Sequence, residues 1–272
     1  MRFTINCLVP MTQPLRFTIV QSDISWEAPE LNFRHYEALL AQEVTQYPLQ
    51  VVLLPELFAT GFSMNTALAE PMKGPTVDWM RSMARQHRCI LSGSVMIRED
   101  DRIYNRFIWM QPDGLCHTYD KRHLFAYAGE DAHYTAGDRR VIVQVMGWKI
   151  CLQICYDLRF PVWSRNVPGP SQYDVLVYIA SWPARRALAW NTLLPARAIE
   201  NQAFVIGVNR TGPDGNEIAY AGDSAVYGPD GSPMWQVGGS EQIHSIVLDG
   251  AMLQAFRDQF PFLRDADSFS LL

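Results

Sequence analysis

A chain of 272 residues, 48% hydrophobic and 19% charged, has the composition of an ordinary soluble globular protein and can bury roughly 70–75% of its unfolded surface in one core. Its net charge of −5 leaves no basic footprint for nucleic acid or an anionic membrane surface. Five cysteines (Cys7, Cys89, Cys116, Cys151, Cys155) are odd in number and lack a disulfide-like spacing, which points to a reducing compartment, the cytoplasm.

Residues 1–10 have neither a sustained apolar core nor a small-residue cleavage site, so they are not a signal peptide. Met11 opens a segment that reads like a normal start, and residues 1–12 are expected to be a frayed, non-native extension. No apolar run approaches the length of a membrane span. Leu15 to Gln21 alternates and is rich in β-branched residues, the pattern of a strand. A helix is expected from Pro29 to Gln46, with Leu31, Tyr36, Leu39, Leu40 and Val44 on its apolar face. Leu49 to Leu54 is a continuous apolar run, as in a strand covered on both faces. The aromatic, glycine-punctuated loop from Phe58 to Met64 suits a pocket wall.

Thr76 to Arg88 reads as a helix capped by Thr76. Cys89–Ile97 and Tyr104–Gln111 read as neighbouring strands, and a Pro112-Asp113-Gly114 turn leads into Leu115–Tyr119. Val141–Val145 and Trp148–Ile154 form a hairpin about Met146-Gly147. Val175–Ala180 is a buried strand, followed by a helix from Arg185 to Asn201. Strands at Phe204–Asn209, Ala219–Tyr227, Pro233–Val237 and Ile243–Leu248 complete the series. A short helix at Ala251–Phe256 leads into an irregular tail. Alternating strands and helices mixed with hairpins, with no break in composition, predict a single α/β domain over residues 13–250, with 251–272 as a tail.

Three strand ends carry chemistry. The run Trp148–Ile154 ends at Cys155, followed by Tyr156-Asp157 and a helix start. A thiol on such a turn is presented as a nucleophile, and the next backbone N–H, that of Tyr156, is free to face a developing oxyanion. A base and a cation stand at two other strand ends, in Leu53-Leu54-Pro55-Glu56 and Tyr119-Asp120-Lys121-Arg122-His123. Cys151 and Cys155 share C-x-x-x-C spacing and one face of a strand. A metal or redox reading of that pair lacks a second Cys or His pair, and Cys151 reads as a core residue.

With Ser181-Trp182-Pro183 and Ala196-Arg197-Ala198-Ile199-Glu200-Asn201-Gln202, these segments give the chain, from about Phe17 to Leu248, a resemblance to carbon–nitrogen hydrolases of the nitrilase superfamily, and within it to the omega-amidase branch. The resemblance implies a four-layer αββα sandwich, a homodimer with the C-terminal tail docking on the partner, and a Glu–Lys–Cys triad at Glu56, Lys121 and Cys155. Glu56 is then the general base, in surroundings desolvated by its apolar and aromatic neighbours. Lys121 supports the oxyanion together with the Tyr156 N–H, and Glu130 corresponds to the second glutamate, which holds the lysine and positions substrate. The branch cleaves the side-chain amide of small 2-oxo acids such as 2-oxoglutaramate, with no metal and no organic cofactor. Its substrate carboxylate calls for a guanidinium. Arg186 is the candidate, beside Arg185, and Trp182 and Phe125 are candidate pocket walls. Arg197, Glu200 and Asn201 are expected to brace the helix behind the nucleophile. A reactive, low-pKa, exposed thiol at Cys155 is expected to oxidise readily.

Three rivals remain open: a nitrilase or N-carbamoyl-amino-acid hydrolase, a catalytically silent interaction protein, and a Cys–His thiol hydrolase using His123 or His133. For the last, the sequence supplies neither histidine with a positioned Asn or Asp partner.

Overall fold

The computed structural model describes residues 13–43, 47, 50–267 and 269–270, so the expectations for residues 1–12 and for the helix beyond Glu43 lie outside the described residues. The predicted apolar and alternating runs become strands, all but part of one of them in two six-stranded sheets. The first sheet gathers β1 (Leu15–Gln21), β2 (Gln50–Leu53), β3 (Ile90–Glu99), β4 (Arg102–Met110) and β5 (Cys116–Asp120). The second begins with β6 (Ile142–Val145), β7 (Trp148–Ile154), β8 (Val175–Ala180) and β9 (Phe204–Asn209). A small ribbon of β10 (Thr211–Pro213) and β11 (Ala219–Ala221) stands apart, and β12 (Ala225–Tyr227) and β13 (Pro233–Gln236) extend the second sheet. β14 (Gln242–Leu248) returns to pair antiparallel with β1.

The two sheets repeat one pattern. From β14 through β1, β2, β3 and β4 to β5, and from β6 through β7, β8, β9 and β12 to β13, the pairings run antiparallel, parallel, parallel, antiparallel, antiparallel. Each sheet therefore has a buried parallel centre. Period-two alternation sends Phe17, Ile19, Val51 and Leu53 toward Ile150, Leu152 and Ile154 of the second sheet, in one shared core. The alternate residues Val20, Val52, Leu91 and Ile108 face the other way. There they pack on α1 (Pro29–Glu43) through Phe33, Tyr36 and Leu40, and on α2 (Pro75–His87) through Val77 and Met80. After the short α3 (Pro161–Ser164), α4 (Ala187–Asn201) packs Trp190 and Leu194 against β9 of the second sheet, where Gly207 leaves room for them. The layers are helix, sheet, sheet, helix, the predicted αββα sandwich.

Three local expectations change. Leu31 is 52% exposed, because the core stripe of α1 runs through Phe33, Tyr36 and Leu40, three and then four residues apart. Thr76 does not cap α2. Gly74 precedes the helix, and the Glu70 carboxylate accepts from the N–H groups of Thr76 and Val77 at 2.9 and 3.2 Å, so a distant acid satisfies the open donors of the first turn. The run Ala219–Tyr227 divides into β11 and β12, because Gly222 and Asp223 turn the chain with φ of 68° and 57°. The short helix expected at Ala251–Phe256 forms, as α5 (Gly250–Gln259), and it is tied to its own chain. Arg257 pairs with Asp174 at 2.8 Å, and Leu253 and Leu263 are buried. No helix among the described residues is long and apolar enough to cross a membrane.

Candidate active site

β2, β5, β7 and β8 all end on one side of the sandwich, where open α/β sheets bind ligands. The residues just beyond those ends are Glu56, Lys121, Cys155 and Ser181, and the structure brings all four together. Lys121 Nζ donates to Glu56 Oε1 at 2.9 Å and to Glu130 Oε1 and Oε2 at 2.9 and 2.8 Å. Glu56, Lys121 and Glu130 are all fully buried. A single ammonium thus divides two carboxylates that otherwise repel in a dry site.

Backbone geometry holds each group. The Ser181 N–H donates to Glu56 Oε2 at 2.8 Å, and the Phe125 N–H donates to Glu130 Oε2 at 2.5 Å. The Lys121 N–H bonds the Asn105 carbonyl at 3.0 Å, and the Lys121 carbonyl accepts from the Gly137 N–H at 2.9 Å. Gly137 is required there: a Cβ on it meets the Asp120 carbonyl oxygen at 2.2 Å. Cys155 has φ of 44°, a left-handed conformation that a non-glycine residue keeps only under constraint. It opens a 3-10 turn, Cys155–Arg159, so it leaves the strand and parts company with Cys151.

Cys155 is 8% exposed, which corrects the expectation of an exposed, acidic thiol. Burial and the Glu56 carboxylate beside it push the thiol well above its ordinary value, against the pull of Lys121. Burial alone lowers the pKa of Lys121, but Glu130 and then Glu56 outweigh it and hold the ammonium well above an ordinary lysine. Burial also raises the Glu130 carboxyl, opposed by Lys121. At neutral pH the resting cluster therefore holds a thiol and an ammonium, with the Glu56 side chain beside the sulfur.

Lys121, Cys155 and Ser181 line a cavity of about 270 Å³. The sequence-predicted walls Phe125 and Trp182 are there, as are Tyr156 and Arg186. Arg186 lies over the rings of Phe125 and Tyr127 at 4.8 and 5.1 Å, and its Nη1 is buried without a hydrogen-bond partner. That leaves a donor for an anionic ligand. Arg159 lines the same cavity and stacks over Trp182 at 4.9 Å. The expected brace is present: Arg197 bonds Glu200 at 3.0 Å and the Leu158 carbonyl at 2.6 Å, and Asn201 accepts from the Asn166 N–H at 2.8 Å.

His133 is exposed. His123 does have an acidic partner, Asp157, at 2.8 Å, contrary to the sequence reading, but it is not among the cavity-lining residues. Sequence reasoning missed Asn105, whose side-chain amide donates to Glu56 at 2.8 Å and to Glu130 at 3.4 Å. Its signal was an asparagine inside an apolar strand, where that residue is depleted. Among the described residues no group of three or more His, Cys, Asp or Glu side chains is placed to hold a metal ion.

The family model "Carbon-nitrogen hydrolase" matches residues 16–258. The chain is 43% identical over 258 residues to "Omega-amidase YafV" of Escherichia coli (strain K12), covering 94% of this chain and 98% of that protein. It is 33% identical over 271 residues to "2-oxoglutaramate amidase" of Bacillus subtilis (strain 168), covering 97% and 98%. The crystal structure of XC1258 from Xanthomonas campestris, described as a CN-hydrolase superfamily protein with an arsenic adduct in the active site, superposes with a TM-score of 0.92. It is 44% identical, over 96% of this chain and 100% of that one.

Proposed function

The chain belongs to the carbon–nitrogen hydrolase family, hydrolases acting on carbon–nitrogen bonds, and from that premise we propose that it is a cysteine-dependent omega-amidase converting 2-oxoglutaramate and water to 2-oxoglutarate and ammonia. Related 2-oxo-acid amides, including the methionine-derived one, are further substrates. The observation that carries this reading is that Lys121 and Cys155 line one cavity while Glu56 and Glu130 close on Lys121 directly behind them.

In the proposed cycle Glu56 takes the Cys155 proton as sulfur attacks the amide carbon. The oxyanion forms beside the Lys121 ammonium and the Tyr156 N–H. Glu56 returns the proton to the leaving nitrogen, and ammonia departs from a thioester. Water, deprotonated by Glu56, attacks that thioester. The second tetrahedral intermediate expels the cysteine sulfur, which recovers a proton, and the acid is released. Glu130 holds Lys121 in place. The carboxylate of the substrate is received by Arg186, with Arg159 as the second cation of the lining, while Phe125 and Trp182 flank the carbon chain.

Ammonia release should be fastest from 2-oxoglutaramate in a panel that includes a nitrile and an N-carbamoyl amino acid, with Cys155→Ala as the blank. Faster turnover of the nitrile or the carbamoyl compound overturns the assignment in favour of that rival, and biological activity surviving in Cys155→Ala supports the silent interaction protein. The proposal includes a cytoplasmic homodimer with residues 251–272 at its interface, supported by the exposure of Phe262 and Phe269. A monomer mass in sedimentation removes that part.

A further inference from the structure

The Asp157 carboxylate is fully buried and its partners come from both catalytic strand ends. Oδ2 accepts from the Ile154 N–H at 3.0 Å and from the Tyr119 hydroxyl at 2.7 Å. Oδ1 accepts from the His123 N–H at 3.0 Å and pairs with His123 Nδ1 at 2.8 Å. Ile154 immediately precedes Cys155, and Tyr119 and His123 each stand two residues from Lys121. Each attachment is itself secured. The His123 ring stacks on Phe160, just past the cysteine turn, with centroids 3.8 Å apart and planes 6° from parallel. The Tyr119 oxygen accepts from Trp163 Nε1 at 3.0 Å and from the Arg122 N–H at 3.2 Å. Burial, then the neighbouring Asp157 charge, hold the tyrosine well above its ordinary pKa, so it stays a donor.

We propose that Asp157 is a positioning residue that sets the distance between the Cys155 sulfur and the Lys121 ammonium by tying the turn of one to the strand end of the other. The proposal rests on the reading of Cys155 as nucleophile and Lys121 as oxyanion partner. Neither Asp157, Tyr119 nor His123 lines the cavity, so all three act through those two residues. Burying a carboxylate is costly unless its lone pairs are satisfied. Packing alone does not call for a charge here, whereas four partners from the ends of two strands in different sheets do. A carboxamide of the same shape cannot accept at both ends, so it gives up either the Ile154 and Tyr119 donors or the His123 pair, and one of the two strand ends is untied.

The experiment measures kcat and KM on 2-oxoglutaramate for the wild type, Asp157→Asn, Tyr119→Phe and their double variant, with Cys155→Ala as the blank. A misplacement of about 1 Å costs about 100-fold in rate, so Asp157→Asn should lower kcat about 100-fold while KM stays within about threefold. Tyr119→Phe, which removes one of the four ties, should lower kcat about tenfold. Because the tyrosine acts through Asp157, the double variant should turn over no more slowly than Asp157→Asn alone. Near-ultraviolet circular dichroism reads the folded fraction. Wild-type kcat in folded Asp157→Asn, or losses that multiply in the double variant, overturns the proposal. If Asp157→Asn does not fold, Tyr119→Phe and His123→Ala decide: a lower kcat at unchanged KM in both upholds it, and wild-type kcat in either overturns it. Activity surviving in Cys155→Ala refutes the underlying mechanism instead.

Discussion

Replacing Glu56 by glutamine should make Cys155 a better thiolate and a worse catalyst at once. In the wild type the Glu56 carboxylate is, after burial itself, the largest influence raising the thiol. Glutamine removes that negative charge, while Lys121 remains paired with Glu130 at 2.8 Å and can turn its field toward the sulfur. Two unit charges about 4 Å apart at an effective dielectric of about 20 interact by about 4 kcal/mol, which at 1.36 kcal/mol per pH unit is an upper bound of about 3 units. Relaxation and the altered contact with the Ser181 N–H reduce this, and a downward displacement of about 1–3 pH units is expected. Loss of the general base costs turnover about 10²–10⁴-fold. The assay is the pH dependence of iodoacetamide alkylation followed by intact mass. Cys155→Ala identifies the signal, and the buried Cys89 and Cys151 stay unlabelled in the native protein. A midpoint that stays put or rises refutes the electrostatic reasoning, and turnover within tenfold of wild type refutes the base.

Lys121→Met leaves two fully buried glutamates without their common cation. The loss of stability should be about 3–5 kcal/mol in urea melts, and turnover should fall at least about 100-fold in whatever folds. A folded variant within tenfold of wild type contradicts the oxyanion role. Alkaline stability tests the buried thiols away from the site. Burial pushes Cys89 and Cys151 up to about 12, above the value of about 9 that each recovers on unfolding. Their contribution is therefore complete below pH 9 and is lost as pH rises toward 12. Urea midpoints should decline across that window, and more gently in Cys89→Ala; an identical slope in the variant denies that the thiol contributes.

Much of this molecule was legible in one dimension because its signals are local. The apolar runs at Val175–Ala180 and Trp148–Ile154 can only be doubly covered strands, and both are. The break inside Ala219–Tyr227 was not legible, because Gly222 and Asp223 turn there so that one half pairs with β10 and the other joins β9. The cap on α2 was misassigned for a related reason: its acceptor, Glu70, lies outside the helix. At the site, Glu56, Lys121 and Cys155 stood at recognisable strand ends and Glu130 followed from the family resemblance, while Asn105 and the Asp157 link did not declare themselves. Their roles exist only as distances to residues far away in the chain.

The linear order of residues thus determined which segments extend or coil, which faces are apolar and which side chains stand at strand ends, since pleat and helical period act over a few positions. It also named candidates for a nucleophile, a base and a cation. Tertiary structure alone decided the protonation of that nucleophile. Its pKa depends on the water removed and the charges brought near by sheets that meet only after folding, and here burial and Glu56 leave the Cys155 sulfur protonated.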